Sequence, residues 1–145
     1  MNIEDYKPYL YGAYGSNMNI AQMSQRCPRA KTITSYELKD YELVFRGVAD
    51  VIKKEGSTVM LGLWRITEDC EHRLDIYEGW PSLYRKEIID TDIGPIMIYV
   101  MNEQEYIHPP TDRYLKSIAD GYDDFGVERK SLLLSLNNSW TNQTA

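Results

Sequence analysis

The stretch Tyr11-Gly12-Ala13-Tyr14-Gly15-Ser16-Asn17-Met18 decides how this chain is read. It closes an aromatic run, Pro8 to Tyr14, that reads as a buried strand, and Gly15-Ser16-Asn17 stops the run with turn residues. Asn19-Ile20-Ala21-Gln22-Met23 then opens a helix that either Asn17 or Asn19 can cap. A small-residue loop between a strand and a helix start aims several backbone N–H groups at one point, beside the positive end of the dipole. That arrangement suits a carboxylate or an oxyanion. Gly12 and Gly15 lack a Cβ, so a ligand can approach the backbone there.

Working outward, Ala30 to Tyr36, Tyr41 to Phe45 and Val48 to Ile52 read as short strands. Glu55-Gly56-Ser57 reads as the turn into Thr58 to Ile66, the most apolar run of the chain and so the expected centre of the sheet. Gly62 inside that run marks a bulge or a close backbone approach. Thr67 caps a helix with early acids in which Ile66, Cys70, Leu74 and Tyr77 share a face, and Gly79 suits its C-cap. Leu83 to Asp90 and Pro95 to Met101 pair as a hairpin around Asp92-Ile93-Gly94. After Pro109-Pro110, one helix carries Tyr114, Leu115, Ile118, Ala119 and Tyr122, and a last one runs from Val127 to Leu136. The order of elements is α+β, with a curled mixed or antiparallel, barrel-like sheet and flanking helices. Residues 1–137 form one domain and 138–145 a polar, frayed tail.

Composition narrows the function. The net charge of −6 over 145 residues, with no Lys/Arg cluster longer than Lys53-Lys54, argues against a nucleic-acid partner. No apolar run approaches a membrane span, and Met1-Asn2-Ile3-Glu4-Asp5 is not a signal segment, so a cytoplasmic protein is expected, with no membrane partner. The two cysteines, Cys27 and Cys70, read as reduced space-fillers. Cys70-Glu71-His72 lacks a second cluster to complete a metal site, so no metal and no cofactor are expected. His108 reads as a loop residue. The twelve tyrosines offer apolar bodies with hydroxyl tips, suited to a semi-polar cavity.

Glu78 is the candidate catalytic residue. It follows Tyr77 and precedes Gly79-Trp80 at the end of a helix, so it can sit at the edge of the apolar interior, where desolvation raises a carboxylate toward neutral pH. Trp80 is the tryptophan expected to shape the site beside it.

Taken together, Tyr11 to Met18, Leu74-Asp75-Ile76-Tyr77-Glu78-Gly79 with Tyr84, and Pro109-Pro110-Thr111-Asp112-Arg113-Tyr114 resemble the gamma-glutamylcyclotransferase-like family, which includes AIG2-like proteins. The resemblance implies a small mixed β-barrel with flanking helices and the release of 5-oxoproline from a γ-glutamyl compound. It assigns the catalytic glutamate to Glu78 and the substrate-binding loop to Tyr11, Gly12, Ala13, Tyr14, Gly15 and Ser16. Asn17 joins the loop as a further motif residue, and Tyr84 and Tyr114 are substrate-contacting tyrosines. Gly12, where an aromatic residue is common, and Met18 in place of leucine depart from the pattern, and the first departure implies a widened pocket wall.

The chemistry agrees from first principles. A γ-glutamyl group carries its own nucleophile, an α-amine able to close a five-membered ring, so neither a serine or cysteine nucleophile nor a metal is required. What remains is proton transfer, for a glutamate, and oxyanion or carboxylate binding, for the loop N–H groups. The leading expectation is an enzyme acting on a γ-glutamyl amine, amino acid or peptide. A non-catalytic module that sequesters a small metabolite, or a cyclotransferase acting on a macromolecule-linked γ-glutamyl group, are the alternatives. Oligomeric state, monomer or homodimer, is left open.

Overall fold

The computed structural model describes residues 5–144; Met1 to Glu4, part of the stretch read for a targeting signal, and Ala145 lie outside the described residues. Five strands, β1 (Leu10–Ala13), β2 (Lys31–Arg46), β3 (Val48–Arg65), β4 (Tyr84–Thr91) and β5 (Gly94–Met101), alternate with four helices: α1 (Ile20–Arg26), α2 (Glu68–Glu78), α3 (Asp112–Asp124) and α4 (Lys130–Thr141). A 3-10 turn, Ser16–Met18, joins β1 to α1. The expected α+β class holds. Among the described residues no helix is long and apolar enough to cross a membrane.

The strands form one sheet in the order β2-β3-β1-β5-β4. β1 lies antiparallel to β3, with Tyr11 opposite Trp64, and parallel to β5, with Leu10 opposite Ile96. The short N-terminal strand is therefore the middle of the sheet, a place expected for Thr58 to Ile66. Those residues are equally apolar because β3 too has a neighbour on both sides, and apolarity alone cannot rank two interior strands. The sheet is open, with β2 and β4 as its edges, so the expected barrel does not close. Its curl brings the Tyr36 hydroxyl of β2 onto the Asp92 carboxylate in the β4–β5 turn, a side-chain contact in place of a ladder.

The stretches read as four short strands are two long ones. Lys39 pairs with Thr58 and Tyr41 with Lys53, so residues 54–57 bulge out opposite Asp40 rather than turning the chain. Asp40 (φ 67°) and Gly56 (φ 85°) adopt the left-handed conformation that the excursion needs, and the Gly56 N–H donates to Asp40 Oδ1 at 3.0 Å. The reversal itself falls at Gly47. Gly62 is a close approach, as expected: a Cβ there would sit 2.7 Å from the Phe125 ring.

Asn19, not Asn17, caps α1, accepting from the Gln22 N–H. Helix α2 buries Cys70 and Leu74 but not Tyr77, so its core face ends a turn early. Helix α3 packs Ile118 and Tyr122 into the core and crosses the 3-10 turn at Gly121, where a Cβ would meet Met18 and the Asn19 nitrogen at 2.7–2.8 Å. Helix α4 begins at Lys130, after Gly126 (φ 68°) turns the chain, and continues to Thr141, past the Leu136 expected as its end and into the stretch read as a frayed tail. Leu132 and Ser139 face inward, while Leu133 and Leu134 are exposed.

A buried ion pair fixes the root of the β2–β3 hairpin. Asp50 takes Arg46 Nε at 2.8 Å, the Met101 N–H at 2.8 Å and Gln104 Nε2 at 3.0 Å, so every approach to its carboxylate is a donor. Full satisfaction of this kind offsets the desolvation of the two charges.

Candidate active site

Helix α2 ends so as to present Glu78. Thr67 Oγ1 accepts from the Cys70 N–H at its start, Gly79 (φ 74°) terminates it in the left-handed conformation, and Glu78 is its last helical residue. The carboxylate reaches a cavity of about 230 Å³ walled by Tyr11, Tyr14, Tyr84 and Tyr114, with Gly15 and Ser16 at its edge. Four separate parts of the chain supply those tyrosines: β1, the loop after it, the start of β4 and the first turn of α3.

The hydroxyls are held in a defined pattern. Tyr14 donates to the Tyr99 carbonyl at 2.5 Å, and Tyr84 donates to the Ala49 carbonyl at 2.7 Å. The Ala49 N–H donates to the Tyr114 hydroxyl at 3.1 Å, and Asn17 Nδ2 donates to the Tyr11 hydroxyl at 3.0 Å. Tyr114 and Tyr11 act as acceptors in these bonds, so each retains its own O–H as a donor. Burial pushes all four phenols above their ordinary range, which keeps them neutral.

Glu78 is the ionisable group this setting tunes. Desolvation raises its carboxyl from the usual range to about 7, and the Arg26 guanidinium, pulling the other way, limits the rise. Asn17 Nδ2 donates to Oε1 at 3.2 Å. A carboxylate poised near neutral pH among neutral hydroxyl donors can take a proton and return it, and the donors can hold an anionic group beside it.

Of the residues expected in the site, Tyr11, Tyr14, Gly15, Ser16, Glu78, Tyr84 and Tyr114 line the cavity. Asn17 stands behind Glu78 and Tyr11, 3% exposed, as their hydrogen-bond partner. Ala13 is buried in the core. Gly12 does not widen the pocket: a Cβ there would point into the core and meet Ile96 and Leu61 at 2.9 Å, so side-chain packing beneath the central strand explains its smallness. Trp80 does not shape the cavity either. It is 43% exposed with Lys86 Nζ 4.1 Å over its ring, because the turn after Gly79 carries it outward.

Several contributors escape sequence reasoning. Tyr77, expected to face the core, is 46% exposed at the rim, its hydroxyl 3.0 Å from Ser16 Oγ. Tyr99 packs edge-on against Tyr11 and donates to Asp75 Oδ1 at 2.6 Å. Ala49 contributes only its peptide groups, which no side-chain pattern reveals. Arg26 donates through Nη1 to Asn17 Oδ1 at 2.6 Å and through Nη2 to Gln22 Oε1 at 3.0 Å, and its guanidinium lies 3.7 Å over the Tyr77 ring. A base in the last turn of a helix fits the dipole, but that rule gives no aim. His108, read as a loop residue, forms an isolated backbone bridge with Arg46, the last residue of β2. Cys70 is buried and His72 exposed, so the pair does not face one ion; both cysteines are free thiols.

The family model for gamma-glutamyl cyclotransferase, AIG2-like, matches residues 11–121. The gamma-glutamylcyclotransferase of Bos taurus is 27% identical over 142 residues, covering 86% of this chain and 75% of the bovine one. A solved gamma-glutamyl cyclotransferase superposes with a TM-score of 0.72 at 23% identity, covering 94% of this chain and 88% of that one. YkqA from Bacillus subtilis superposes with a TM-score of 0.76 at 24% identity, covering 90% of this chain and 55% of its own. These two structural likenesses are of fold. Since the matched stretch takes in most of the chain, from the Tyr11 loop to helix α3, the protein belongs to the gamma-glutamyl cyclotransferase, AIG2-like family.

Proposed function

We propose that this protein releases 5-oxoproline from a γ-glutamyl amine, amino acid or peptide, with Glu78 as general base and then general acid. The observation that carries the reading is the Glu78 carboxyl, raised by burial to about 7 at the wall of a cavity that Tyr11, Tyr14, Tyr84 and Tyr114 share with it.

In the proposed cycle the γ-glutamyl group enters the cavity and its leaving group extends past the rim at Tyr77 and Leu83. Ionised Glu78 takes a proton from the substrate ammonium. The free α-amine attacks the γ-carbonyl carbon, a new C–N bond closes the five-membered ring, and the carbonyl oxygen becomes an oxyanion. O–H groups of Tyr11 and Tyr114 and N–H groups of the Gly15-Ser16-Asn17 loop are the donors for that oxyanion and for the substrate carboxylate. Glu78 then gives its proton to the departing nitrogen, the bond from the γ-carbon to that nitrogen breaks as the oxyanion re-forms the carbonyl, and the second proton of the ring nitrogen passes to the Glu78 carboxylate and from it to the released amine. Ring closure draws on an intramolecular effective molarity of roughly 10⁵–10⁸ M, so the proposal needs neither metal nor cofactor.

The test is 5-oxoproline release, followed by mass spectrometry, from γ-glutamyl amines, amino acids and peptides. The native protein is expected to turn over at least one of them, and Glu78→Gln, equal in size, to lower kcat by roughly 10²–10⁴-fold. Turnover that survives Glu78→Gln would remove Glu78 from the mechanism.

A further inference from the structure

We propose that Arg26 is a positioning residue for Glu78: through the Asn17 amide it fixes which face of that amide the carboxylate meets, and by stacking on Tyr77 it holds the rim of the same cavity. The rate consequence rests on the function proposed above; the geometry does not.

The argument turns on the two ends of one amide. Asn17 is buried, and its Oδ1 takes Arg26 Nη1 at 2.6 Å while its Nδ2 faces Tyr11 and Glu78. Arginine offers donors only, so it accepts no rotation of the amide that would bring Nδ2 against it. With Oδ1 committed, Nδ2 must point to Glu78, where it stabilises the ionised carboxylate. Without Arg26 the amide can turn over and set Oδ1 against the Glu78 oxygen, a contact tolerable only when the carboxyl is protonated. The Asn17 backbone is not free to move instead, because its carbonyl takes Trp64 Nε1 at 3.0 Å.

Arg26 is itself held on three sides. Gln22, one turn earlier on α1, takes Nη2; Asn17 takes Nη1; and the Tyr77 ring, next to Glu78 on α2, lies 3.7 Å beneath the guanidinium. A guanidinium flat on an aromatic ring is a favourable contact that lysine reproduces poorly. The groups facing Glu78 from other elements are the phenols of Tyr11, Tyr14, Tyr84 and Tyr114, all kept neutral by burial. Arg26 is then the charge that opposes the desolvation of Glu78.

The deciding experiment titrates the Glu78 carboxyl by carbon NMR in native protein, Arg26→Gln and Arg26→Lys, with pH profiles of kcat/KM for the same three. In Arg26→Gln the Glu78 midpoint is expected to move up by about one pH unit, and the acid limb of the profile to move with it. The kcat loss of about tenfold should shrink to under about twofold when Asn17→Ala is already present, since the two then act as a unit. Arg26→Lys, which keeps the charge and is the safer variant for folding, lacks the fork that reaches Asn17 Oδ1, Gln22 Oε1 and the Tyr77 ring together, so the amide is released: the midpoint should rise by less than in Arg26→Gln, and kcat should fall. An unmoved midpoint in Arg26→Gln, a fully additive loss in the double variant, or full kcat in Arg26→Lys would each overturn the proposal. If native protein turned over no γ-glutamyl compound, the proposed function would fall while the titration, which needs no substrate, still decided the role of Arg26.

Discussion

Glu78 is held in a state its surroundings resist, and that has a consequence for stability. Its carboxyl binds protons more tightly folded, at about 7, than in an unfolded chain, where an ordinary carboxyl titrates lower. Between those two values the native state holds more protons than the unfolded one, so this residue makes stability fall as pH rises through that window. Glu78→Gln is therefore expected to be more stable to urea than the native protein at pH 8, by about 3 kcal/mol, with the difference vanishing near pH 4. Urea titrations at the two pH values check it. Much at this scale was legible from sequence, because a glutamate between a core-facing helix and a left-handed glycine has few places to go. Gly12 was not: which side of a strand a missing Cβ would occupy depends on neighbours, Leu61 and Ile96, that are remote in sequence.

Helix α3 shows how an element aims a site residue. Its first turn carries Tyr114 to Ala49, and its depth against the loop is set two turns later by Gly121, pressed on the backbone of Met18 and Asn19. Alanine is the better helix former by roughly 1 kcal/mol, but overpacking against backbone that cannot yield costs roughly 1–3 kcal/mol. The second effect is the larger, so Gly121→Ala is expected to lower Tm by several degrees and to raise KM by lifting Tyr114. A thermal scan and a kinetic assay check both parts. Caps and helix starts read correctly where one residue decides them, as with Thr67 and Gly79. The bulge of residues 54–57 read as a turn because Gly56 signals a left-handed residue without saying whether the chain reverses or returns to its ladder.

At the scale of the molecule, the arrangement depends on pairings no local pattern encodes. The placing of β1 between β3 and β5, and the refusal of β2 and β4 to join, follow from the summed lengths and twists of all the strands. The stretches that carried the family resemblance lie within the matched residues 11–121, so the class of fold was readable while its openness was not. Arg26, Ala49 and Tyr99 entered the site only through folding.

The single peptide at Ala49, gripped by Tyr84 through its carbonyl and by Tyr114 through its N–H, makes the cavity a property of a completed chain. A nascent polypeptide on the ribosome has the loop, the glutamate and three of the four wall tyrosines before the last one is translated. Severed between the exposed residues Glu105 and Tyr106, the halves 1–105 and 106–145 should each release no 5-oxoproline and should recover release when mixed. Activity in the larger half alone would show Tyr114 to be dispensable. Recovery on mixing would make the pair a split reporter, in which ring closure signals that two fragments have met.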